Sequence, residues 1–160
     1  MRVVSNTSPL SNLAIVGRLD FLPRRYGAVL VPPAVAKELT ALSHPDGSGR
    51  IAVALAEGWL QIGPPPPILA LPFPLDPGET EAIALACHLK ADVLLIDEKR
   101  GRQAARHCGL VVAGVLGELL HARHAGWIPS VRNEIQRLRR EAGFFVDATV
   151  ERFILSQVGE

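Results

Sequence analysis

The chain has 160 residues, a formal net charge of +1 and 48% hydrophobic residues, which suits one ordinary domain, spanning 1–160, with a real core. A balance this close to neutral suggests neither an acidic tail nor a strongly basic nucleic-acid binder, although the charges can still be unevenly spread. Cys87 and Cys108 are too few and too far apart for a disulfide scaffold or a CxxC metal site, so a reduced cytoplasmic compartment and two small buried hydrophobes are expected.

No stretch approaches the roughly 18 apolar residues of a membrane span, and no basic segment precedes an apolar core at the N-terminus. The expectation is a soluble cytoplasmic protein with no membrane partner.

Val3-Val4-Ser5 reads as a first strand, with Ser8 as helix N-cap ahead of Pro9 at the first helical position and a helix from Leu10 to Ile15. A short helix over Leu19–Leu22 follows. Ala28 to Val31 is a second strand, and Pro32-Pro33 opens a helix over Ala34–Leu42 that carries Glu38. Residues 43–49 are a loop by composition, Ile51–Glu57 a helix and Trp59–Ile62 a strand. Pro64-Pro65-Pro66-Pro67 is a stiff extended connector within the domain, or alternatively a proline-rich ligand for another domain.

Asp76-Pro77-Gly78-Glu79 resembles a capping box, with Asp76 at N-cap, Pro77 at N1 and Glu79 reaching back from N3, which gives Glu79 a structural role. Glu81 lies on another side of the same helix among Ala82, Ile83, Ala84, Leu85 and Ala86, and a partly buried carboxylate there needs a partner. Val93 to Ile96 is a continuous apolar run ending at Asp97, the pattern of a strand buried on both faces of a parallel sheet. An acid at the carboxyl end of such a strand stands where open α/β folds place their ligand crevices.

Lys99 to His107 is a basic helix, Leu110–Val112 a strand and Leu116–Ala125 a helix. Val131–Ala142 is a helix in which Ile135 and Leu138 form a narrow stripe among Arg132, Arg137, Arg139 and Arg140; a solvated basic face and a nucleic-acid contact both fit it. Phe144–Val146 is extended, and Asp147 caps a last helix to Val158. Strands alternating with helices predict an α/β fold with a parallel sheet. None of the five histidines is assigned chemistry.

Asn6, Glu38, Glu81, Asp97 and Glu98 form the candidate polar cluster. Carboxylates converging at the ends of neighbouring parallel strands are unstable without a cation, and oxygen ligands with no His or Cys favour Mg²⁺ or Mn²⁺ over zinc.

Four segments in order, Val4-Ser5-Asn6-Thr7-Ser8-Pro9-Leu10, Val31 to Leu39, Gly78 to Ala86 and Asp92 to Glu98, resemble the successive motifs of the PIN domain. Gly126 to Val131 and the Gly143-Phe144 turn resemble its small stand-alone prokaryotic DUF3368 subgroup. The resemblance implies a Rossmann-like three-layer α/β/α fold with a central parallel sheet. It also implies a Mg²⁺- or Mn²⁺-dependent, single-strand-specific endoribonuclease, often a VapC-like toxin that forms a homodimer and is held by an antitoxin. Carried over by position, Glu38, Glu81 and Asp97 are acids of the metal site, with Glu98 an alternative to Asp97. Asn6 stands where the family usually has its first aspartate. Thr7 or Ser8 would hold a metal-bound water or a phosphate oxygen, and Lys99, Arg100, Arg102 and Arg106 follow the acidic tip closely enough to contact the phosphate backbone of RNA.

Asn6 is the departure. Its amide oxygen can ligate a hard cation but brings no charge, so the alternatives of a retained ligand and a structural cap stay open. A module that binds RNA or protein without cutting is the competing function. A nucleotide-binding or phosphatase domain is disfavoured: there is no GxxxxGK[ST] or GxGxxG, and Asn6 stands where a phosphoryl-accepting aspartate would be needed.

Overall fold

The computed structural model describes all residues from Met1 to Glu160. In chain order the elements are β1 (Val3–Ser5), α1 (Thr7–Ile15), α2 (Phe21–Tyr26), β2 (Val29–Val31), α3 (Pro33–Thr40), α4 (Pro45–Glu57) and β3 (Leu60–Ile62). There follow α5 (Pro77–His88), β4 (Val93–Leu95), α6 (Lys99–His107), β5 (Val112–Ala113), α7 (Val115–His124), α8 (Val131–Ala142) and α9 (Ala148–Ser156).

All five strands are parallel, in the order β3-β2-β1-β4-β5, with Val4 opposite both Leu30 and Leu94, Leu30 opposite Gln61 and Leu94 opposite Val112. Val3, Val4 and Ser5 are all buried, so the central strand is covered on both faces, which is why its sequence does not alternate. Helices cover the sheet: α1 contacts α3, α4, α7 and α8, and α5 contacts α3 and α6. Chain direction reverses its progress through the sheet between β1 and β4, and open α/β sheets bind ligands outside the carboxyl ends of the strands at such a point.

The layers are tied by ion pairs at buried carboxylates as well as by apolar packing. Glu118 on α7, 1% exposed, accepts from Tyr26 Oη at 2.6 Å and Arg25 Nη1 at 3.1 Å. Glu134 on α8 accepts from Arg18 Nη2 at 2.6 Å. Each buried carboxylate is met by a partly exposed arginine, and a buried charge that is paired and hydrogen-bonded is tolerated.

Several boundaries differ from the sequence reading. The first helix starts at Thr7, with Asn6 rather than Ser8 at the N-cap position and Pro9 inside the first turn. Pro9 is accommodated there because a first-turn N–H has no intrahelical partner to lose. The expected loop at 43–49 is mostly helix: α4 begins at Pro45, and His44 Nδ1 accepts from Gly47 N at 3.0 Å. The helix expected at Leu19–Leu22 runs Phe21–Tyr26, and the last strand forms at Val112–Ala113. Cys87 and Cys108 are free and partly exposed rather than buried.

On α8 the arginines are mostly engaged within the chain. Arg137 pairs with Glu141 at 2.9 Å and donates to Val16 O at 2.7 Å, Arg139 pairs with Glu151, and Arg132 donates to Glu160 O at 2.7 Å. This face staples α1, α9 and the C-terminus to α8, which favours the structural of the two readings. No helix is long and apolar enough to cross a membrane.

Candidate active site

β1 delivers Asn6 and β4 delivers Asp97 to the same end of the sheet, because Ser5 pairs with Leu95 and Asn6 N donates to Leu95 O at 2.8 Å. Asn6 is 4% exposed, and its Oδ1 is buried without a hydrogen-bond partner. Although Asn6 occupies the N-cap position of α1, its side chain makes no capping bond. Asp97 uses Oδ1 to accept from Val115 N at 2.9 Å, at the start of α7, and leaves Oδ2 buried and unpartnered. Burial pushes the Asp97 carboxyl up to about 6, against the opposing pull of the Val115 bond and the Arg102 charge. Buried polar atoms are almost always paired, so two orphaned acceptors on adjacent strand ends call for a ligand.

Glu38 comes from α3. Thr7 Oγ1 donates to its Oε2, tying it to the first turn of α1. Its Oε1 lies over Gly78 on α5, where an added Cβ would stand 2.5 Å away.

Of the two acids on α5, Glu81 has a structural partner. Glu81 is partly buried, but its Oε1 accepts from Ala34 N at 3.1 Å. The N-cap residue of α3 is Pro32, which has no side-chain acceptor, so Glu81 supplies the missing cap from a neighbouring helix. Glu79 instead lies in the cluster, 7% exposed. Burial pushes its carboxyl up to about 7, with the Asp76, Glu98 and Glu38 carboxylates adding to the effect. Asp76 Oδ1 accepts from Glu79 N at 2.8 Å, but no bond returns from Glu79 to the Asp76 backbone, so only half the capping box forms. Helical period carried the missing signal. Both acids have buried residues three and four positions on, but position seven beyond Glu79 is the buried Ala86 whereas position seven beyond Glu81 is the exposed His88.

Close approach of helices to these acids depends on glycine. A Cβ at Gly101 on α6 would meet Glu79 Oε2 at 3.0 Å and Ile96 Cδ1 at 2.6 Å, and one at Gly114 would collide with Asp97 Oδ1.

Glu98 is exposed and borders two cavities, one shared with Glu79, Asp76 and Arg100, the other with Ser8, Asn12, Asp97 and Phe145. Lys99 and Arg102 border a groove of about 680 Å³ that also ends on Asp97. Arg102 has a single long bond, to Ile96 O at 3.4 Å, and burial lowers its guanidinium from its ordinary value. Arg100 turns away: it lies 4.8 Å over the Phe73 ring and donates to Pro74 O at 3.5 Å. Thus Asn6, Thr7, Glu38, Asp97 and Glu98 of the predicted residues meet at one end of the sheet with Glu79, Arg100 borders the cavity beside Glu79 and Glu98 while stacked on Phe73, and Glu81 caps α3. No three His, Cys, Asp or Glu side chains are gathered closely enough to form a ready metal cage. The donor set nevertheless suits a hard cation: oxygen-only, mostly anionic, with two buried oxygens lacking partners.

A parallel sheet in this order, with acids clustered outside its switch point, defines an open α/β protein of the kind that binds ligands at strand carboxyl ends. The DUF3368 family model, a PIN domain, matches residues 2–160, and the chain belongs to that family. PIN domains are in general nucleases that use divalent metal ions. Among solved structures the chain is similar to a PilT N-terminus domain protein from the hyperthermophilic archaeon Sulfolobus solfataricus P2. The TM-score is 0.56 at 19% identity, covering 76% of this chain and 93% of that one, a likeness of fold. No curated protein matches the chain.

Proposed function

We propose that the chain is a metal-dependent endoribonuclease acting on single-stranded RNA, with Asn6, Glu38, Glu79 and Asp97 around a Mg²⁺ or Mn²⁺ ion and Glu98 at the rim. The observation that carries this reading is the pair of buried, unpartnered oxygens, Asn6 Oδ1 and Asp97 Oδ2, at the ends of adjacent central strands. When bound, the ion would lower the pKa of a water and stabilise charge on the scissile phosphate and leaving oxygen.

The chain's own groups prepare that site. Val115 N holds Asp97 by one oxygen and frees the other, and Thr7 fixes the Glu38 carboxylate. Glu79, whose carboxyl is raised to about 7 by burial and neighbouring acids, would be favoured in its ionised form beside a bound cation. Lys99 and Arg102 stand beside Asp97 to hold a substrate phosphate. The toxin role, a homodimer and an antitoxin peptide that offers an arginine to the carboxylates belong to the same proposal, supported by the family resemblance and by carboxylate–guanidinium chemistry.

Incubating a mixed structured and single-stranded RNA pool with Mn²⁺, Mg²⁺ or EDTA tests the reading, with Asp97→Ala beside wild type. Metal-dependent cutting lost in the variant supports it; equal RNA binding without cutting by either protein overturns it. The second reading, a module that binds without cutting, is favoured by one observation: Asn6 carries no charge where the family usually has aspartate.

A further inference from the structure

The groove of about 680 Å³ that ends on Asp97 has two unlike walls. One is cationic: Lys99, Arg102 and Arg106 project from α6. None of the three forms a salt bridge, although six other ion pairs are closed elsewhere. The other wall is apolar, built by residues 144–146 and by α9, where Phe145 is 84% and Phe153 62% exposed. Gly143, at φ +64°, ends α8 in the left-handed conformation and sends the chain sharply into Phe144 and Phe145. Phe145 borders both this groove and the smaller cavity holding Ser8, Asp97 and Glu98.

Two large aromatic rings left in water are costly unless something covers them. The occupant must match free cations on one side and flat apolar rings on the other. An unpaired nucleic-acid strand does so, because its bases have free π-faces and its phosphates face away from them. A duplex does not, since its base faces are already stacked on one another. Asp147, at the far wall, caps α9 through Thr149 N at 2.8 Å, so the groove sets three cations, of which Arg102 also donates to Ile96 O, against the two carboxylates Asp97 and Asp147.

We infer that this groove is a base-stacking channel that leads an unpaired strand to Asp97, with Phe145 and Phe153 against the bases and Lys99, Arg102 and Arg106 against the phosphates. The inference deepens the nuclease reading and rests on it only in taking Asp97 as the end of the path. Neither phenylalanine belongs to the buried core, so both can be changed without unfolding the chain.

The test is binding in EDTA, where metal-dependent cutting cannot occur, of a fluorescent 12-nucleotide mixed-sequence RNA, the matching DNA and the blunt RNA duplex. Wild type is expected to prefer the single strands. Phe145→Ala and Phe153→Ala each weaken single-strand binding about ten-fold, as loss of one stacked base predicts, and leave duplex binding unchanged; Phe145→Trp restores it. Arg106→Ala lowers the slope of log affinity against log salt by about 0.7. Wild type failing to bind the single strand, or both alanine variants binding it as wild type does, overturns the channel. So does an unchanged affinity accompanied by a shift in oligomeric state, which marks the aromatic wall as an interface between copies. Stacking with no cleavage in Mn²⁺ keeps the channel and removes the nuclease reading; cleavage with Phe145- and Phe153-independent binding does the reverse.

Discussion

The carboxylate of Glu38 rests on the backbone of Gly78, leaving no room for a Cβ, which would stand 2.5 Å from Glu38 Oε1. The second residue of α5, Gly78, therefore serves by the space it leaves. Gly78→Ala is expected to push the Glu38 carboxylate off its place. Intrinsic propensity gains a little, since alanine suits a helix better than glycine by up to about 1 kcal/mol. Metal-dependent cleavage should fall at least ten-fold with Tm nearly unchanged. Parallel thermal melts and cleavage assays check this; full activity in the alanine variant would mean Glu38 is not needed where it stands.

Glu79 and Glu81 should separate cleanly. Glu81→Ala removes the acceptor for Ala34 N and is expected to cost about 1 kcal/mol, as loss of a helix cap does, while cleavage is largely retained. Glu79→Gln should keep or raise stability and abolish cleavage. Denaturant unfolding beside activity reads both.

In metal-free protein the raised carboxyl of Glu79 fixes the sign of a pH dependence. Between its ordinary value of 4.5 and about 7, the folded chain holds a proton that the unfolded chain has lost. Its contribution to stability is thus greatest below about pH 4.5 and diminishes as pH rises through about 7. Asp97, raised from 3.8 to about 6, acts in the same direction over a lower window. Melting in EDTA across pH 4 to 8 should show the difference between wild type and Glu79→Gln shifting steadily against wild type as pH rises. Mn²⁺ should reverse the trend at pH 7 and above, because cation binding favours the ionised carboxylates. A wild-type–variant difference that does not change with pH contradicts this.

Asn6→Asp adds the missing charge beside Asp97. Apo stability should fall, since another buried carboxylate joins the cluster, and the Mn²⁺ concentration giving half-maximal cleavage should drop about ten-fold. Titrating cleavage against Mn²⁺ measures it; weaker metal dependence with no change in stability would place Asn6 outside the site.

Much of this arrangement is legible in the chain. Val93 to Ile96 running into Asp97 announces a strand covered on both faces with an acid at its tip, and β4 lies beside β1 as that pattern requires. The helices at Lys99–His107 and Val131–Ala142 coincide with their sequence bounds because a strongly amphipathic period marks both, and Ser130 caps the second. Failures arise where tertiary contact overrides local pattern. Asp76-Pro77-Gly78-Glu79 is a plausible local cap, and nothing within that segment says that the Glu79 carboxylate turns into a cluster built by three distant segments. Glu81 looks functional only because its partner, Ala34 N, lies 47 residues away. Likewise the loop composition of residues 43–49 hides a helix that His44 caps and that packs on α1.

The most direct test of the central claim is cleavage of a single-stranded RNA in Mn²⁺ by wild type, Glu79→Gln, Glu81→Gln and Asp97→Asn, with EDTA as the control. Cutting by wild type and Glu81→Gln, lost in EDTA and in the other two variants, is the predicted result. Retention of cutting by Glu79→Gln and Asp97→Asn, or its persistence in EDTA, would contradict a metal site at the switch point of the sheet.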